Sequence, residues 1–428
     1  MQINKRTFLA RLAAILVATQ LASCGGGGGS VTSSNITQAV SFGDSLSDTG
    51  TYAPVKVMTA GVKWTTNPAK VWAEVVADAY GLPLQPNAFV RFNKDFATDH
   101  DMQMSVIQPL AGTSYAQGSA RVSSMPISLS AGASAPSASP LMPGTTAYGS
   151  IAVAPAGVGD VIVGYSYNGT TPFAAKSGVP SALTAVSIKD QISNYLNTHN
   201  DQFTSNQLVL IQGGANDVFV ALTTYQNTGG LAPDPNYCGG TTLPYVTYNP
   251  ADPTTDNIVT CAAKEMVVQL KRLVESGATN ILYANLPDIG NTPEFVHYAQ
   301  LDPVNGAAAK GLITQLSNGY NLVVLGSLHA LGLDSKIRIF DTATFLTNTL
   351  ASVANANAKW ACLGPHSSSS STGVTSLGCA SAASGGSGFV TADAPTTYIF
   401  ADGVHPTQLG HKLWGDAAAA LATSSFPR

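Results

Sequence analysis

Three residue types that cooperate in acyl transfer stand at the ends of apolar runs: Ser45, Asn216 and His405. A serine hydroxyl is a weak nucleophile and needs a base beside it. Ser45 sits in a Gly43-Asp44-Ser45 turn straight after the apolar run 37–42 (TQAVSF), a bend that exposes the hydroxyl. His405 follows Asp402 by three residues, in a turn tightened by Gly403 and Pro406. With that spacing one loop holds a base and the carboxylate that orients it. Asp402 accepts from one imidazole nitrogen and leaves the other for the Ser45 proton. Asn216, in Gly213-Gly214-Ala215-Asn216-Asp217 after the run 207–212, offers a neutral donor for an oxyanion. This chemistry requires no metal and no organic cofactor. Singly, each of these turns is ordinary; the weight lies in finding all of them at run ends.

The elements that must position these residues alternate between strand and helix patterns. Strands are expected at 37–42, 207–212, 279–286, 336–340 and 398–401. Helical spacing predicts helices over 67–81, where Val71, Trp72, Val75, Val76 and Tyr80 share a face, and over 184–197, 257–276, 306–332, 342–358 and 408–423. Gly319 is expected to bend the long helix. Such alternation indicates βαβ units and a parallel sheet, and sites in such sheets form beyond the carboxyl ends of the strands. Three of the turns fall there, after 37–42, 207–212 and 398–401.

Several blocks resemble those of the SGNH, or GDSL, hydrolase superfamily. Gly43-Asp44-Ser45-Leu46-Ser47-Asp48-Thr49-Gly50 resembles the first block, and Gly112-Thr113-Ser114-Tyr115-Ala116-Gln117-Gly118-Ser119-Ala120-Arg121 the second. Gly214-Ala215-Asn216-Asp217 is similar to the third, and Asp402-Gly403-Val404-His405-Pro406-Thr407 to the last. Asn285-Leu286-Pro287-Asp288-Ile289-Gly290-Asn291-Thr292-Pro293 resembles a segment of lipase-like members. The blocks occur in family order and cover most of the chain from about 37 to 424. The resemblance implies a flavodoxin-like three-layer α/β/α sandwich with a central parallel sheet, and acyl-ester hydrolysis. It implies Ser45 as nucleophile, His405 as base, Asp402 as orienter, and an oxyanion hole from the Ser45 N–H, the Gly118 N–H and the Asn216 side chain. Relatives often carry two glycines where this chain has Gly118-Ser119, which leaves open which N–H of that block faces the oxyanion.

Other polar residues have plainer expectations. Asp48 caps the segment after it. Asp217 is structural, Asp288 and Asn291 shape a turn, and His411 is a helix residue. His199, His297, His329 and His366 need no role, and Trp360 and Trp414 belong to the core.

Composition narrows the class further. Only 10% of residues are charged and the formal net charge is −4, with no basic stripe. Nucleic-acid binding wants clustered Lys and Arg, so that class is set aside. Lys5, Arg6 and Arg11 precede a mostly apolar run from Leu12 to Ala22, the layout of a secretory signal over 1–23. Leu21-Ala22-Ser23-Cys24 resembles a lipobox, so Cys24 is the expected lipidation site, with 24–36 as a Gly-rich tether. Gly25, in place of Asp at the position after Cys24, resembles the signal for outer-membrane sorting in a Gram-negative host. An ordinary signal peptide and a secreted chain form the other reading.

Removing Cys24 from five cysteines leaves four, which fall as two local pairs, Cys238 with Cys261 and Cys362 with Cys379. Three pairings are open to four cysteines; the local one is chosen because it clips two loop insertions. Each bridge would close roughly twenty residues, worth about 3 kcal/mol in the chain-entropy model. A zinc site lacks supporting CxxC or HxxxH spacing. The hydrolase domain is expected over 37–424, with insertions near 122–160, 228–256 and 360–395. Three functions are weighed: an esterase or lipase-like hydrolase on an acyl ester, an acyltransferase to a sterol or sugar hydroxyl, and a surface lipoprotein that only binds ligands. The expected partners are the ester and, through the N-terminal lipid, a membrane; a monomer is expected.

Overall fold

Four short apolar runs pair as one parallel sheet in the order β1 (Gln38–Phe42), β4 (Gln207–Gln212), β5 (Asn280–Ala284), β6 (Ile337–Phe340). β2 (Ala88–Phe92) and β3 (Ser105–Pro109) form a separate antiparallel pair. The computed structural model describes residues 35–53, 63–92, 105–122, 186–229, 231, 257–353, 356–363 and 376–426. The expected signal at 1–23, Cys24 and its tether up to residue 34, Cys238 and the bulk of the insertions near 122–160 and 228–256 lie outside the described residues.

Parallel strands covered on both faces carry apolar residues on both faces, and all six residues of β4 are buried. One face, with Val40, Phe42, Val209, Ile211, Ile281 and Tyr283, packs against α2 (Ile188–Thr198), α3 (Ala215–Thr228), α4 (Ile258–Glu275) and α6 (Asn305–Ala330). The other, with Ala39, Leu208, Leu210, Leu282 and Ala284, packs against α1 (Trp72–Ala79) and α8 (Gln408–Ser425). Trp72 and Trp414 stack between those two helices, ring centroids 5.1 Å apart. The fold is an α/β/α sandwich: the parallel sheet is the one the alternation predicts, and the three layers are those the resemblance implies.

Register matters most for the site. Phe42 lies opposite Ile211, and Ile211 opposite Tyr283. β1 and β4 therefore end level, and the chain leaves both at one rim of the sheet.

Several boundaries move. The helix expected over 67–81 starts only at Trp72, because Val71 is extended and gives its N–H to the Glu74 carboxylate at 2.9 Å. The helix expected over 342–358 is α7 (Thr342–Ser352). α5 (Pro293–Leu301) and the β2–β3 pair were not anticipated. The strand expected at 398–401 does not join the sheet. Its Phe400 makes isolated bridges with Trp360 and Pro406, and its carbonyls are taken by the N–H groups of Ala361 and Cys362, both at 2.9 Å. Backbone groups satisfied by that neighbour have nothing left for a sheet edge. The Cys362–Cys379 disulfide is present, with Cα atoms 5.5 Å apart. Cys261 is also disulfide-bonded.

Candidate active site

The turn that carries Ser45 is rooted in the central sheet. Gly43, the first residue past β1, is gripped from both sides: its N–H donates to Gln191 Oε1 and its carbonyl accepts from Gln191 Nε2, each at 2.9 Å. The Gln117 N–H donates to the same carbonyl at 3.1 Å. A Cβ at Gly43 would stand 2.7 Å from the Gln212 carbonyl oxygen, so only glycine lets β1 and β4 run this close here. Asp44 is fully buried and accepts from the Leu46 N–H and the Gln212 amide. Burial pushes its pKa up to about 6 against those donors and the nearby His405.

Asp402 and His405 meet this turn from the far end of the sequence. His405 Nε2 lies 2.9 Å from Ser45 Oγ, and Nδ1 lies 2.8 Å from Asp402 Oδ2 and 3.0 Å from Oδ1. A carboxylate facing Nδ1 fixes the proton there and leaves Nε2 as acceptor for the serine hydroxyl. Burial alone would raise the Asp402 pKa. The His405 charge, its ring hydrogen bond and the N–H groups of His405 and Val404 outweigh that and hold it at about 2. The Oδ1 atom takes those two N–H groups at 2.7 and 2.9 Å, which closes the turn on its own carboxylate. Ser45, Asp402 and His405 thus form one connected hydrogen-bonded chain.

Of the three donors expected to face an oxyanion, only the Gly118 N–H is wholly engaged elsewhere. The Ser45 N–H donates to no protein group among the described residues. Asn216 opens α3 one strand over, half-buried, with one amide N–H on the Ala120 carbonyl at 2.8 Å and a second N–H remaining. Gly118 is corrected: its N–H donates to Asp48 Oδ2 at 2.8 Å, and its carbonyl accepts from Tyr52 Oη at 2.8 Å. A buried N–H already on a carboxylate does not face an incoming oxyanion. Asp48 does cap its own segment, through the Gly50 and Thr51 N–H groups, and in addition fastens the first block to the second. Ser119 follows with φ 70, in the left-handed region that favours glycine.

A family model described as GDSL-like Lipase/Acylhydrolase matches residues 40–418. The chain belongs to this GDSL-like lipase/acylhydrolase family. No curated protein matches the chain. In this GDSL-like acylhydrolase the block residues Asp217 and Asp288 are structural, as expected. Asp217 holds Arg121 in a buried ion pair at 3.0 Å and accepts from the Val122 N–H. Asp288 takes the Gly290 N–H, the Asn291 amide and the Thr314 hydroxyl.

Three neighbours of the site escaped the sequence reading. Trp64, 4% exposed, lies over the His405 ring with centroids 4.8 Å apart and planes 33° from parallel. It fills the space beside Gly118, where a Cβ would stand 2.2 Å from the indole nitrogen. His411 is fully buried: its Nδ1 accepts from the Trp72 N–H at 3.2 Å, so Nε2 carries the proton, 3.4 Å from the Trp64 carbonyl. Burial pushes its pKa down to about 3 against that carbonyl, so it is a neutral brace, more than the plain helix residue expected. Glu294, at the start of α5, gives its N–H to the Gly403 carbonyl at 2.9 Å, and its carboxyl abuts Gly403. Burial, with the Asp402 charge beside it, raises the Glu294 pKa to about 8. No spacing could flag these roles: Trp64 and Glu294 meet the Asp402–His405 turn across a hundred residues or more, and His411 makes its bonds to Trp64 and Trp72, more than 300 residues away.

Proposed function

We propose that this chain is a serine esterase that hydrolyses carboxylic acyl esters through an acyl-enzyme on Ser45. The observation that carries this reading is the continuous chain from Ser45 Oγ to His405 Nε2 at 2.9 Å and from Nδ1 to Asp402 at 2.8 Å. Ser45 Oγ attacks the ester carbonyl as its proton passes to Nε2, and the carbonyl electrons move onto oxygen. The Ser45 N–H and the second Asn216 N–H are the proposed donors to that oxyanion; donors of this kind supply much of the rate in acyl transfer. Collapse expels the alcohol, which takes the proton from Nε2. Water then enters, gives its proton to Nε2 and attacks the acyl-serine, and the acid leaves as Ser45 regains its proton. Asp402 keeps the ring in the required tautomer throughout.

The experiment is a panel of nitrophenyl esters from short to long acyl, run on wild type and on Ser45→Ala. Turnover that vanishes in Ser45→Ala supports the reading, and the preferred chain length separates esterase from lipase action. Unchanged turnover in Ser45→Ala removes the mechanism. We further propose that the protein acts outside the cytoplasm, held by lipid on Cys24; the charged n-region, short apolar run and Leu21-Ala22-Ser23-Cys24 support this. Mass spectrometry of the mature N-terminus tests it: an acylated Cys24 is expected, and an unmodified terminus elsewhere contradicts it.

A further inference from the structure

The Asp402 carboxylate collects its donors from two sources. The Val404 and His405 N–H groups and the His405 ring belong to its own turn. The remaining donor comes from 26 residues upstream: the Ser376 N–H reaches Asp402 Oδ2 at 2.7 Å. Ser376 opens a short 3-10 turn, Ser376–Gly378, which closes when the Cys379 N–H donates to the Ser376 carbonyl at 3.0 Å. Cys379 is bonded to Cys362. The Cys362 N–H in turn donates to the carbonyl of Ala401, the residue just before Asp402, at 2.9 Å. Both half-cystines are fully buried, and they pack directly against Ala401.

The disulfide therefore joins the two main-chain segments that reach Asp402, one along the backbone through Ala401 and one through the Ser376 N–H. Asn67 pins the same corner. Its N–H donates to the Cys379 carbonyl at 2.6 Å, and its amide reaches the Ser376 and Cys379 carbonyls at 3.1 and 3.3 Å. A carboxylate that keeps only the donors of its own turn retains freedom about its last torsion, which is broad and roughly two-fold. An N–H fixed from outside selects one setting.

We infer that the Cys362–Cys379 disulfide is a positioning element for the triad, holding the Ser376 N–H against Asp402 so that the carboxylate keeps the His405 ring in place. The inference rests on the reading of Asp402 as the orienter of His405. It makes the segments around Cys362 and 376–379 part of the working site.

Two alterations of the full chain test it. Cys362→Ala with Cys379→Ala removes the bridge. Ser376→Pro deletes only the N–H at the first position of a helical turn, where proline is accommodated; it leaves the bridge intact and is compared with Ser376→Ala, which keeps the N–H. The first readout is kcat and KM on a short-chain nitrophenyl ester. The second, independent of turnover, is the downfield proton signal of the His405–Asp402 hydrogen bond in the free protein. Loss of one hydrogen bond to a charged group predicts kcat about tenfold lower in both alterations, with KM held within about twofold. Combining them adds little, because both act through one contact. The downfield signal broadens or shifts in both. The inference is overturned if the bridge-free protein keeps wild-type kcat and signal, or if Ser376→Pro behaves as Ser376→Ala. Should the bridge-free protein fail to fold, Ser376→Pro decides alone. If wild type hydrolyses no ester while the signal still moves in both alterations, the functional reading fails and the positioning role stands.

Discussion

Ser45 and His405 meet at 2.9 Å, yet the chain delivers them by different means. Ser45 leaves β1, which is paired along its whole length with β4, and the next residue out is gripped by a buried glutamine. His405 leaves a segment with no place in the sheet, held by backbone bridges to Trp360–Cys362, by the Ser376 N–H and by the Trp64 ring. Ser45 is thus fixed by the same packing that makes the fold. His405 is fixed by pieces of chain inserted between fold elements. Damage to the first half should therefore appear as lost stability, and damage to the second as lost rate in a folded protein.

The sharpest test of the second half is Asp402→Asn. An amide in place of the carboxylate can hold the wrong imidazole tautomer, and kcat is expected to fall about 10⁴-fold, with the melting temperature nearly kept. A loss of folding instead would blur the contrast. On the first half, Gln191→Ala strips the buried Gly43 N–H of its partner, while the Gly43 carbonyl keeps the Gln117 N–H. An unsatisfied buried group costs about 1–3 kcal/mol, so denaturant unfolding should show a loss of about that size; a fully stable protein would break the comparison. Trp64→Leu comes next. It removes the aromatic face over His405, where an imidazolium forms in the proposed reaction. Contacts of that kind run from about 0.5 to 2 kcal/mol, so kcat/KM should drop about tenfold, with Trp64→Phe recovering most of it. Equal losses in both would mean that Trp64 acts by filling space alone.

The last effect is silent at acid pH. Glu294 has its pKa raised to about 8 from 4.5, so its contribution to stability is fully present below about 4.5 and is lost as pH rises through about 8. Asp402 runs the other way: lowered from 3.8 to about 2, it contributes above about pH 4 and is lost as pH falls toward 2. Glu294→Gln should therefore gain on wild type progressively between pH 4.5 and 8 in thermal unfolding. A gap that stays constant over that range would refute the burial argument for this carboxyl.

Much of this was legible in the sequence, for local reasons. The turn at Ser45 and the Asp402–His405 spacing are each written within a few residues. The strand-helix alternation dictates a parallel sheet whose ends gather them. Other features were illegible because they join distant segments. Asn67 meets Cys379 across 312 residues, and Thr66 Oγ1 takes the Gln408 N–H across 342. The apolar run at 398–401 reads as a strand, but its backbone is satisfied by Trp360–Cys362, a partner that hydrophobic pattern cannot name. The block around Gly118 implies an oxyanion donor there, and only the position of Asp48 shows that its N–H is already engaged.

The account stands on Ser45 being made nucleophilic by His405, and a fluorophosphonate that reacts with activated serines tests this directly. After labelling, peptide mass spectrometry should find a single adduct on the peptide containing Ser45, with labelling lost in His405→Ala. An adduct on another serine, or labelling of Ser45 that proceeds undiminished in His405→Ala, would contradict it.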